Sequence, residues 1–68
     1  MDFKWVEGFS ISVRYEGGQV VICANKAGLL SMANHLKALA EESPGSHFHL
    51  DQNNSLEEGS IELVVEKS

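Results

Sequence analysis

Residues 9–24, FSISVRYEGGQVVICA, constrain the fold more tightly than any other stretch of the chain. Phe9, Ile11, Val13 and Tyr15 alternate with Ser10, Ser12, Arg14 and Glu16, the period of a half-buried strand. Gly17 and Gly18 then supply two residues able to take positive φ, as a two-residue primed hairpin turn requires, and Gln19–Ala24 returns as the partner strand. A turn of that length sets Glu16 opposite Gln19. Tyr15 therefore pairs with Val20, Val13 with Ile22 and Ile11 with Ala24 on the face expected to enter the core. On the other face Arg14 meets Val21 and Ser12 meets Cys23, so two apolar residues stand where a solvent face is normally polar.

The period changes at NKAGLLSMANHLKALAEE. Leu29, Met32, Ala33, Leu36, Leu39 and Ala40 recur at the spacing of an amphipathic helix, with Asn25 placed to cap its first turn. Asn34, Lys37 and Glu41 fall on the opposite, wet face, and His35 sits at the edge of the apolar stripe. Gly28 is a poor helix former in the first turn, which points to close approach by another part of the chain. Pro44 and Gly45 end the helix. Two more strands follow, SHFHLD with Phe48 and Leu50 on one face, and SIELVVEK with Ile61, Leu63 and Val65 on one face. The polar loop QNNSLEEG lies between them. Phe3 and Trp5 share the parity of Phe9 and Ile11, so they are candidates to extend the first strand past a bulge at Gly8.

The order is β-β-α-β-β, an α+β arrangement. One four-stranded antiparallel sheet with the single helix across one face is the simplest way to bury every apolar side. The helix, with Leu36 pointing inward, is expected on the face carrying Ile11, Val13, Ile22, Phe48, Leu50 and Leu63. The bare face would then carry Ser12, Arg14, Val21, Cys23, His47, His49, Asp51, Glu62, Val64 and Glu66. At 68 residues the chain is expected to form a single domain, 1–68, because a second core would have too little surface to bury.

Ten acidic against five basic residues leave a net charge of −5, with no basic cluster, which disfavours nucleic acid and anionic membrane as partners and suits a basic protein surface. The lone Cys23 can make no intramolecular disulfide, and MDFKWVEGFS lacks the pattern of a secretion signal, so the expected location is cytoplasmic.

His47 and His49 alternate along a strand and lie about 7 Å apart, close enough to share a zinc ion. Asp51 is too far along the strand to join His47, so further ligands would have to come from Glu62 or Cys23. Structural zinc sites usually show two separated ligand pairs and only one is visible, so no metal and no cofactor is expected. Cys23 with His47 or His35 offers a conceivable nucleophile and base, but a single helix on a small sheet provides no deep cleft, and no catalytic residue is assigned. On a half-exposed strand the histidines can equally pack on neighbours and hydrogen-bond Asp51 or Glu62.

The run ANKAGLLSMANHLKALAEESPGSHFHLD, continued by LEEGSIELVVEK, resembles family thirty-two of the bacterial immunity proteins. Asn25, Gly28, Leu29, Ala33 and Leu36, the HFHLD strand and the closing SIELVVEK carry the resemblance, over roughly residues 24 to 67. It implies a protein that binds and neutralises a toxin encoded beside it, without catalysis or a required cofactor.

Taken together, the residues and the resemblance predict a small non-enzymatic binding protein that meets a basic toxin through its bare sheet face and polar loop. His47, His49, Asp51, Glu57, Glu58 and Glu62 are the candidate partner-binding residues. The alternatives are a homodimer burying Val21, Cys23 and Val64, and a His-x-His metal-binding protein. Both a monomer and a homodimer remain open.

Overall fold

A computed structural model describes residues 3–68. The order of elements is β1 (Ile11–Glu16), β2 (Gln19–Ala24), α1 (Lys26–Ala40), β3 (His47–Leu50) and β4 (Leu63–Glu66). The first hairpin has the expected register, from Ile11 opposite Ala24 to Glu16 opposite Gln19. Gly17 and Gly18 take φ of 53° and 82° in its turn.

The α+β class holds, but the four strands do not form one sheet. They make two antiparallel pairs, β1 with β2 and β3 with β4. The reason lies in residues 57–61, which run beside the free edge of β1. Ile11 O accepts from Glu57 N at 2.9 Å and Val13 O from Ile61 N at 2.9 Å. Between them Val13 N donates to the Ser60 side-chain Oγ at 3.1 Å instead of to a backbone carbonyl. A turn containing Gly59, at φ 88°, inserts extra residues here. The hairpins are thus tied together by an irregular seam rather than a ladder.

Asn25 joins β2 to the helix. Its Oδ1 accepts from Gly28 N at 2.7 Å and from Ser10 N at 3.1 Å, and its Nδ2 donates to Gly8 O at 3.0 Å. One side chain caps the helix and fastens the chain leading into β1. Gly28 faces the same junction: a Cβ there would lie 2.5 Å from Ser10 O and 3.0 Å from both Ile11 Cγ1 and Ala24 Cβ. The close approach expected of this glycine is therefore present.

The helix does not bury the stripe its hydrophobicity predicts. Gly28, Ser31, His35 and Leu39 face inward, whereas Leu29 (56% exposed) and Leu36 (47% exposed) face out along with Ala33 and Ala40. Relative to expectation, α1 is rolled by roughly a third of a turn. Two contacts explain the roll. Only glycine lets the helix start against Ser10 O, and the N-terminal segment covers the polar flank. Val6 N donates to Ser31 Oγ at 2.8 Å and Asn34 Nδ2 to Lys4 O at 2.9 Å. Phe3 and Trp5 do not extend β1. Phe3 stacks on His35 with ring centres 4.3 Å apart, while Trp5 stacks on Phe9 at 4.4 Å and meets the His35 ring edge-on at 4.2 Å. His35, expected at the boundary, is buried.

Ile11, Val13, Leu39, Phe48, Leu50 and Leu56 form the core, with Phe3, Phe9, Ala24, Met32, Leu63 and Val65 packed against it. Ile22 and Ile61, expected inside, are each 41% exposed. The loop residue Leu56 takes a core place because Asp51 O accepts from Asn54, Ser55 and Leu56 N, closing a turn that swings this leucine inward.

Candidate functional site

The outer face of the second hairpin follows from its register. His47 lies opposite Glu66 and His49 opposite Val64, while Phe48 with Val65 and Leu50 with Leu63 take the inner face. Strand alternation thus separates an apolar side that anchors the hairpin from a polar side that presents it. The two histidine rings meet edge to face with centres 5.0 Å apart. His47 Nδ1 lies 3.2 Å from Gly45 O, and His49 Nδ1 lies 3.4 Å from Glu62 Oε2. Both partners of that second pair are about half exposed, so the contact stabilises little. Val64 sits among these groups at 48% exposure.

The remaining candidate residues lie on the loop. Asp51 is half-buried, and its Oδ1 accepts from Asn53 N at 2.8 Å and Asn54 N at 3.1 Å. Its carboxylate holds the loop in shape. Glu57 Oε1 accepts from Ser10 Oγ at 3.2 Å, which turns this side chain toward β1. Glu58 is exposed and lines an open depression with Gln52 and Asn53, where Gln52 Oε1 also accepts from Gly59 N at 3.0 Å. The geometry therefore divides the six residues. His47, His49, Glu58 and Glu62 present exposed polar groups on the outer face and loop, whereas Asp51 accepts two loop N–H groups and the exposed Glu57 is tied to β1 by Ser10 Oγ. Gln52 and Asn53 were not singled out by sequence reasoning; two uncharged amides in a polar loop carry no distinguishing signal.

The first hairpin carries Arg14, paired through Nε with Glu16 on the same strand face, and the exposed Cys23. The hydrogen bond and charge of Glu16 raise the Arg14 pKa above its ordinary value. Among the described residues no three His, Cys, Asp or Glu side chains converge as a metal site would require. Glu62 meets the His49 imidazole, while His47 Nδ1 lies beside Gly45 O instead. A second open depression, lined by Lys4, Asn34, Lys37 and Ala38, lies against the helix.

A family model described as Immunity protein 32 matches residues 19–68. The chain belongs to the immunity protein 32 family. No curated protein matches it, and neither does any solved structure. All six candidate residues fall within the segment that aligns with immunity protein 32, as do β2, the helix and the second hairpin. Strand β1 and the aromatic segment that packs on His35 lie before it. Among the described residues of this immunity protein 32 family member, no helix is long and apolar enough to cross a membrane.

Proposed function

We propose that this chain is a single-domain, cytoplasmic, non-enzymatic immunity protein that binds a toxin encoded beside it, using the outer face of β3–β4 and the adjoining loop. The family match over residues 19–68 is the observation that carries this reading. His47, His49 and Glu62 supply exposed donors and acceptors, and Glu58 adds negative charge at the loop. Asp51 and Glu57 hold the loop in the shape it presents. Val64 provides an apolar centre amid the polar groups, as the energetically dominant part of an interface usually has. A net charge of −5 favours a toxin with a basic surface, and no metal or cofactor is called for.

The test is binding of the toxin encoded next to this chain by the wild type and by His49→Ala, Glu62→Ala and the double variant. Both side chains are exposed, so the far-ultraviolet spectrum should not change. Glu62→Ala should mainly slow association and weaken its dependence on salt, while His49→Ala, nearer Val64, should speed dissociation. Full binding by a folded double variant would move the interface away from this face.

A further inference from the structure

The outward roll of α1 leaves its most apolar stripe without a partner. Leu29, Ala33, Leu36 and Ala40 are exposed and recur at i, i+4, i+7 and i+11, so they fall within about 60° of one another around the helix. Two bulky and two small residues alternate along this seam. That is the pattern by which a leucine on one helix fills the space over an alanine on another.

The charges at the helix ends identify the second helix. Lys26 occupies the first position of α1 and Glu41 its C-cap, the reverse of the order that the helix macrodipole favours. Both are exposed, and among the described residues neither takes part in an ion pair. They lie on the same flank of the apolar seam, about 22 Å apart along the axis. A second copy of α1 laid antiparallel about a two-fold axis brings Lys26 of each chain to Glu41 of the other. It also sets each Leu29 between Leu36 and Ala40 of its mate, with the two Ala33 residues close to the axis. An arrangement that is unfavourable within one helix thus becomes complementary between two.

We propose that this face is a self-association surface, and that two copies of the chain pair through antiparallel α1 helices along Leu29, Ala33, Leu36 and Ala40. The proposal is independent of toxin binding, since the seam and the β3–β4 face share no residue, and its test needs no toxin.

Sedimentation equilibrium of the full chain from micromolar to near-millimolar concentration should show reversible dimer formation. Leu36→Glu would bury two like charges per dimer and should weaken it on the order of 100-fold or more, with an unchanged far-ultraviolet spectrum because the site is exposed. Lys26→Glu and Glu41→Lys should each weaken the dimer several-fold. An equal mixture of these two variants should recover it, because in the mixed dimer both contacts between positions 26 and 41 join opposite charges. A wild type that stays monomeric throughout overturns the proposal. So does a dimer indifferent to a folded Leu36→Glu, or a mixture no tighter than either charge variant alone. Should Leu36→Glu fail to fold, the mixing experiment decides alone.

Discussion

Gly28→Ala sets helix propensity directly against packing. Considered only as part of α1, the change should stabilise the chain by about 1 kcal/mol, the usual difference between glycine and alanine inside a helix. The new Cβ, however, would stand 2.5 Å from Ser10 O and 3.0 Å from both Ile11 Cγ1 and Ala24 Cβ. Two of those neighbours are backbone or Cβ atoms that cannot rotate away, and Ile11 is fully buried. Ser10 O also accepts from Asn25 N at 3.1 Å while Ser10 N donates to the Asn25 side chain, so moving Ser10 loosens the helix cap as well. Overpacking of this kind typically costs about 1–3 kcal/mol, and the immobility of the neighbours argues for the upper half of that range. The net expectation is a loss of about 1–2 kcal/mol, or a fall in Tm of roughly 4–15 °C for a chain of this size. Urea titration and thermal melting followed by circular dichroism both read it. An unchanged or raised Tm would refute the reasoning, since it would show that residues 8–10 move aside freely and that the roll of α1 is not held by this contact.

Leu39→Ala should cost about 2–5 kcal/mol as a buried truncation, whereas Leu36→Ala, measured at dilute concentration, should cost less than about 1 kcal/mol; denaturant titration that reversed the two would restore the rolled-back helix. His35 is buried with Nδ1 2.6 Å from Ser31 O and Nε2 with no hydrogen-bond partner among the described residues. His35→Phe keeps the aromatic stack and removes the unpaired nitrogen, so stability should stay within about 1 kcal/mol of wild type or rise, as thermal melting would show. A fragment of residues 19–68 should lack a cooperative unfolding transition by circular dichroism, because it leaves out β1, and a folded fragment would make that strand dispensable.

The register of the first hairpin was legible because a double glycine between two alternating runs leaves one way to pair them. Gly28 was legible for a similar reason, since glycine in a first helical turn lacks a local justification. The rotation of α1 was not. Periodicity ranks faces by hydrophobicity, and here the buried flank carries Ser31 and His35, whose polarity is absorbed by Ala27 O, Ser31 O, the Val6 N–H and the aromatic rings of Phe3 and Trp5. None of those partners is near in sequence except within the helix itself. The split sheet was hidden because one side-chain oxygen, from Ser60, replaces a backbone carbonyl in the seam along β1. For the candidate face, alternation in HFHLD assigned His47 and His49 to the outside correctly, but it could not show that the carboxylates of Asp51 and Glu57 are engaged within the chain.

That the family match begins at residue 19 has a physical counterpart in this fold. It cuts the first hairpin in half and omits β1, yet β1 contributes Ile11 and Val13, both 0% exposed, and the two carbonyls that receive Glu57 and Ile61. The core of the matched segment is therefore completed by residues outside it. From β1 that segment receives backbone groups at the right register and the buried side chains Ile11 and Val13 at alternate positions. The helix and second hairpin are more exacting, since Asn25 must cap two elements at once and Gly28 must leave room for Ser10 O. Strand β1 thus supplies, from outside the matched segment, two fully buried side chains and the carbonyls that hold residues 57–61.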